Sequence, residues 1–182
     1  DCVSAPCKGG CPIAQDIPKY IELVGKGMYG PALKLITEKN PLPFITGTIC
    51  AHRCQNKCSR NFYDESVHIR DAKLVAAEKG FETVMASMKP AKKVAGKKAA
   101  IIGGGPTGMA AAYFLARGGV ETTIFEREAT LGGVPRHVIP SFRIAEETIE
   151  KDIALMEKQG VEVKCGAPAP SVAELKAMGY TH

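Results

Sequence analysis

Apolar positions follow a helical period through the first half of the chain and shift to short strand-like runs near residue 99. Ile17, Tyr20, Ile21 and Val24 fall at i, i+3, i+4 and i+7, the stripe of a helix with one buried face. That spacing predicts a helix over 16–24, with Asp16 as its cap and Gly25 and Gly27 ending it. A second helix is expected near Pro31, a residue tolerated in a first turn. It turns Ala32, Leu35 and Ile36 inward and stops at Asn40-Pro41. Pro43 and Gly47 read as a turn. From Cys50 onward short helical pieces are expected, then one or two helices over 69–88 with a break at Gly80. The stretch SMKPAKKVAGKK over 87–98 reads as a linker by its Pro, Gly and Lys content.

Beyond it the pattern is βαβ: a buried strand over 99–102, a glycine turn, a helix through Ala110, Tyr113, Phe114 and Leu115 to Gly118, and a strand over 122–125. Residues 144–159 read as a helix, 161–165 as a strand and 172–178 as a short helix. The predicted organisation is a helical domain over 1–88, a linker over 89–98, and part of an α/β Rossmann-like domain over 99–182, whose open sheet would need further strands after His182.

With 182 residues, 45% hydrophobic and 24% charged, the chain can bury one modest core or two small ones, which excludes a disordered tail. No apolar run approaches the roughly 20 residues of a membrane helix, because Gly103, Gly104, Gly105, Pro106 and Gly108 interrupt the most apolar stretch. No membrane insertion is expected. No charged segment followed by an apolar one opens the chain at Asp1, so the expected location is cytoplasmic. Residues 1–96 carry 14 Lys and Arg against 9 Asp and Glu, whereas residues 97–182 carry 10 of each. The basic excess includes Lys89, Lys92 and Lys93, with no aromatic stripe beside them. That pattern fits a solvated linker and gives no reason to expect a nucleic acid partner.

Seven cysteines in a chain without an export signal point to metal or redox use rather than disulfides. Cys2-x4-Cys7-x3-Cys11-Pro12 is a compact thiol loop, and Cys50-x3-Cys54-x3-Cys58 would place three thiols on one face of a helix. Iron-sulfur clusters take thiolates, generally four per cluster, and a proline after the last cysteine recurs in ferredoxin-type loops. Zinc is the rival, but zinc sites pair cysteines on separated knuckles. The spacing favours clusters on Cys2, Cys7, Cys11, Cys50, Cys54 and Cys58. Cys165, at the end of VEVKC, reads as a buried strand residue.

Gly103-Gly104-Gly105-Pro106-Thr107-Gly108 fits G-x-G-x-x-G between a predicted strand and helix, and Glu126 ends the second strand 23 residues after Gly103. Gly103 permits the tight turn, Gly105 lets backbone approach a pyrophosphate, and Gly108 lets helix and strand close. The helix N-terminus, worth about half a positive charge, then faces the phosphates. Glu126 would accept hydrogen bonds from ribose hydroxyls and disfavour a 2′-phosphate, which selects FAD or NAD over NADP.

The segments CVSAPCKGGCP, ITEKNPLPFITGTICAHRCQNKCSR and YDESVHIRDAK resemble the N-terminal iron-sulfur domain of the glutamate synthase small-chain family, shared by dihydropyrimidine dehydrogenase. Residues 40–79 are most similar to the selenate reductase subgroup, and the likeness covers essentially the whole chain. The resemblance implies two [4Fe-4S] clusters with interleaved ligands. One takes Cys2, Cys7 and Cys58 with a cysteine two residues before the position of Asp1; the other takes Cys11, Cys50 and Cys54 with a fourth ligand. In some relatives that ligand is a Gln or Glu whose place falls near Lys73, a poor donor while protonated. Asp71, His68 and His52 are substitutes within sequence reach. FEREATLGG and VIPSFRI resemble the FAD-binding half of the same family, which adds Arg127, Gly132, Gly133 and Arg143 to the expected cofactor contacts. Arg136 and His137 are expected at the surface.

No Ser-His-Asp order, HExxH or paired carboxylates support hydrolysis. The expected function is electron transfer in an NAD(P)H-dependent flavin and iron-sulfur oxidoreductase. The NAD(P)H site, and an acceptor domain or partner subunit, would lie outside these residues, and this segment alone should be inactive. The alternative is a zinc-stabilised helical interaction domain joined to a degenerate Rossmann unit.

Overall fold

The computed structural model describes residues 2–182, which divide into two units, the first ending at Ser87 and the second spanning 88–182. The first is helical: α1 (Pro6–Gly10), α2 (Ile17–Gly25), α3 (Tyr29–Thr37), α4 (Pro43–Ile49), α5 (Arg53–Asn56), a 3-10 turn at Ser59–Phe62, and α6 (Ile69–Ser87). The long α6 is the spine against which α2, α3 and α4 pack. Ile17, Tyr20, Ala32, Ile36, Ile69 and Ala76 form a buried nucleus that also contains Cys54, with Cys7 and Cys11 packed against it. The chain therefore buries Cys54 in this nucleus and sets Cys7 and Cys11 at its border, while Cys2 is exposed.

Three local expectations fail for tertiary reasons. The residues read as a turn at Pro43 and Gly47 form α4. Pro43 opens that helix, where its missing N–H leaves nothing unpaired. A Cβ on Gly47 would stand 3.1 Å from the Leu74 side chain, so this glycine is a packing notch against α6. No break occurs at Gly80: α6 is continuous, and a Cβ there would lie 2.5 Å from the Tyr29 carbonyl oxygen. Asp16 precedes α2 as expected, but its side chain caps nothing and pairs with Lys8 at 3.2 Å.

The second unit comprises β1 (Lys98–Ile102), α7 (Pro106–Arg117), β2 (Glu121–Phe125), α8 (Val134–His137), α9 (Glu146–Lys158), β3 (Glu162–Lys164) and α10 (Val172–Ala177). The strands form a parallel sheet in the order β1-β2-β3, with Ala100 opposite Thr123 and Ile124 opposite Val163. α7 packs on β1 and β2, and α9 packs on α7, as short parallel strands require for burial. The predicted class, a helical domain followed by a Rossmann-like α/β unit, is the one observed.

The basic stretch before β1 lies along this unit: Val94 N donates to the Gly119 carbonyl (2.8 Å), and Glu121 N to that of Lys97 (3.1 Å). On the free edge of β1, His182 N donates to Lys98 O and Ala100 N donates to His182 O, the parallel-ladder pattern. Among the described residues no helix is long and apolar enough to cross a membrane.

Candidate functional site

The six clustered cysteines separate into two triplets. Cys2, Cys7 and Cys58 line a cavity of about 510 Å³ together with Ser59, Arg60 and Tyr63. Cys11, Cys50 and Cys54 line a second, smaller one of about 30 Å³ with Gln15, His52 and Lys73. Ile17 and Ile69 form part of the wall of both. Cys50, Cys54 and Cys58 do not share a helix face as their spacing suggested. Only Cys54 is helical, in α5, while Cys50 and Cys58 have extended backbone on either side. Those extended residues direct the thiols of one short segment to two cavities.

The thiols are held in surroundings unfavourable to isolated thiolates. Burial pushes the Cys7 thiol up, against the Lys8 amide. Burial does the same at Cys54, and the neighbouring charges of Cys11 and Cys50 add to it against the opposing Gln55 amide and Lys73 charge. The exposed Cys2 is shifted down, chiefly by the Ser59 hydroxyl 3.2 Å away. Burial holds Tyr20 protonated, and the charges of Cys54, Cys11, Cys7 and Cys50 reinforce this; Tyr20 lines the smaller cavity. Crowded, partly buried thiols are stabilised as thiolates by a cationic inorganic centre, and the donor set fits one. Among the described residues the cysteines are unpaired with one another, and no three His, Cys, Asp or Glu side chains converge on a single-ion site.

The glycine motif sits at the carboxyl ends of β1 and β2, where open parallel sheets bind ligands. A cavity of about 790 Å³ there is lined by Ile102, Gly103, Phe125, Glu126, Arg127 and Gly133, among others. Gly103 has φ +99, and a Cβ on Gly108 would meet the Gly103 carbonyl oxygen at 2.0 Å, so both positions demand glycine. Gly105 precedes α7, and Pro106, Thr107 and Gly108 make its first turn.

A second glycine turn braces the first. Gly132 N donates to Gly104 O (2.9 Å), and a Cβ on Gly133 would stand 2.8 Å from Gly105 Cα. Glu126 was expected to meet ribose hydroxyls. It lines the cavity, but both its oxygens also accept backbone amides, from Gly104 (2.5 Å) and Glu128 (2.9 Å). Those amides, Glu128 first, hold its carboxyl below the usual range.

Arg143 is exposed and lies outside this cavity wall. Arg136 is not the surface residue expected: its side chain is 8% exposed and pairs with Glu146 and Glu150 of α9. His137 is exposed but lines the cavity, as do Val134, Pro168 and Ala169, which motif spacing alone could not reveal. Cys165 is half-buried just past β3.

The family model of the dihydropyrimidine dehydrogenase domain II 4Fe-4S cluster region matches residues 1–85, and that of the NAD(P)-binding Rossmann-like domain matches 101–167. Both matches point to the iron-sulfur oxidoreductase family of the glutamate synthase small chain and dihydropyrimidine dehydrogenase, which the chain resembles along most of its length. The chain is 47% identical over 182 residues to YgfK of Escherichia coli K12, named as an oxidoreductase, covering 99% of this chain and 18% of the relative. It is 32% identical over 166 residues to the glutamate synthase [NADPH] small chain of Mycobacterium tuberculosis (91% and 34%). It is 35% identical over 165 residues to the NADPH-Fe(3+) oxidoreductase subunit beta of Geobacter sulfurreducens (90% and 25%). The chain thus spans between 18% and 34% of the length of these relatives.

The family resemblance leaves the Cys11, Cys50 and Cys54 triplet without an assigned fourth donor, and the structure sorts the substitutes. His68 Nδ1 and Asp71 Oδ2 face each other at 3.2 Å, both well exposed, and neither lines the cavity. Lys73 lines it and is 5% exposed. His52 lines it too, and its Nδ1 is buried without a hydrogen-bond partner.

Proposed function

We propose that these residues form the part of an NAD(P)H-dependent, cytoplasmic flavoprotein in which electrons pass between FAD and two [4Fe-4S] clusters. The observation that carries the reading is the parting of six thiols into two triplets in the chain that also builds a dinucleotide turn. Cys2, Cys7 and Cys58 would hold one cluster and Cys11, Cys50 and Cys54 the other. Structural zinc sites pair their thiolates on separated knuckles, whereas these six lie on two short segments.

FAD is favoured at the glycine turn. Gly105 meets no non-neighbouring protein atom closer than 3.9 Å from its ideal Cβ position, so backbone is open to a close ligand. The Glu126 carboxylate disfavours a 2′-phosphate. When bound, the flavin supplies conversion of a hydride pair into single electrons and the clusters supply one-electron carriage. The protein's residues position these groups: Ile17, Ile69 and Tyr20 exclude water around the thiols, and Glu126 fixes the turn that receives the phosphates. The NAD(P)H site, an acceptor domain or partner subunit, and turnover of substrate belong to residues outside this segment.

The test is cofactor analysis of the natural polypeptide purified without oxygen. Iron, acid-labile sulfide and FAD are expected together, with broad visible absorption. Zinc without iron overturns the cluster reading. Stoichiometric FAD in a Gly105→Val, Glu126→Ala double variant overturns the flavin assignment.

A further inference from the structure

The Cys11, Cys50 and Cys54 cavity offers three thiols where a [4Fe-4S] core generally takes four donors. Its other polar walls are Gln15, His52, Arg53, Arg70, Lys73 and Tyr20, whose phenol is a weak donor while it keeps its proton. Arginine carries donors and no acceptor, and a protonated lysine likewise. Gln15 is turned to the Ile36 carbonyl, to which its Nε2 donates at 3.4 Å. His52 differs from all of these. Its Nδ1 is shielded from solvent and has no hydrogen-bond partner, an arrangement that is unfavourable unless something else occupies the nitrogen.

The backbone supports the same conclusion. His52 has φ +40, a conformation that non-glycine residues rarely adopt, and it lies two residues from both Cys50 and Cys54. Its own N–H donates to Cys50 Sγ at 3.4 Å. This strained residue therefore already contacts one thiol of the triplet through its main chain, and it lines the same cavity. Strain of this kind persists where surrounding structure over-determines it, commonly at ligand sites.

We infer that His52 is the fourth ligand of the Cys11, Cys50 and Cys54 cluster, through Nδ1. The inference rests on the cluster reading above. The imidazole binds neutral, with its proton on Nε2. Nitrogen is a familiar donor to iron-sulfur irons, where it raises the potential by replacing an anionic thiolate with a neutral group. The second cluster is thereby set at a higher potential than an all-thiolate one, which makes it the better electron acceptor of the pair.

The experiment uses the natural polypeptide, isolated with its cofactors under anaerobic conditions and grown with isotopically labelled histidine. Pulsed electron paramagnetic resonance of the reduced protein should show coupling of one cluster to a histidine nitrogen, and His52→Ala should abolish it. His52→Ala should also convert that cluster to a three-iron core or lose it, while the first cluster stays. His52→Cys should keep four irons, lack the coupling and lower the midpoint potential. Two clusters with no histidine coupling, coupling to a lysine nitrogen instead, or an unchanged spectrum and potential in His52→Ala would overturn the assignment while leaving the cluster reading intact. Absence of iron and sulfide would overturn both.

Discussion

Glu126 serves as an internal brace as well as a cavity wall, and its removal should loosen the glycine turn before any nucleotide is added. In Glu126→Ala the amides of Gly104 and Glu128 both lose their acceptor. A hydrogen bond to a charged group is worth about 1.5–3 kcal/mol. The Gly104 bond is buried and should be lost in full, whereas the Glu128 bond is partly solvated and water replaces some of it. The expected loss is about 2–5 kcal/mol. Glu126→Gln keeps one oxygen but sets an NH2 against an amide donor, for about 1.5–3 kcal/mol.

The pH dependence has a definite sign. The folded carboxyl is held below its usual value, so its contribution is complete above the unfolded value near about 4.3 and disappears as pH falls through the folded one. The glutamine variant should lack that acid limb. Hydrogen exchange of a peptide covering 101–110 in cofactor-free protein measures the effect locally, and denaturant melts measure it globally. Exchange should quicken by about 10-fold or more, since each 1.4 kcal/mol is tenfold. A Glu126→Ala protein within about 0.5 kcal/mol of wild type, with unchanged exchange, would refute the reasoning.

Gly80→Ala and Gly25→Ala place the same methyl group on two helices, but with opposite outcomes. Gly25 has no neighbour within 4 Å of the added carbon and should gain up to about 1 kcal/mol, while Gly80 meets the Tyr29 carbonyl and should lose about 1–3 kcal/mol, both read from chemical denaturation. Gly133→Ala combines φ +54 with a 2.8 Å approach to Gly105, so FAD content should fall sharply while iron content holds. Asp16→Asn removes only an exposed pair with Lys8 and should shift stability by less than about 1 kcal/mol, in contrast to the larger effect expected of a true cap.

The sequence motifs marked candidate sites more readily than the path of the chain. The glycine turn, the strand ends beside it and the six thiols were legible because each demands particular residue types at short spacing. Pro43, Gly47 and Gly80 were misread because proline and glycine signal breaks in local terms. Here α6 needs flat, close neighbours, a demand that originates more than twenty residues away at Leu74 and Tyr29. The one-face reading of Cys50, Cys54 and Cys58 failed because periodicity presumes a continuous helix, and two of these residues are extended. Arg136 was taken for a surface charge because its partners, Glu146 and Glu150, come from a later helix.

Ile17 and Ile69 face both thiol cavities. Were each cavity to hold a cluster, as proposed, a partition of single aliphatic side chains would be too thin to insulate one from the other against electron tunnelling. Traffic between two such centres would then depend on their difference in potential. Evolution could therefore retune the direction of flow by altering donors around one centre, without moving either.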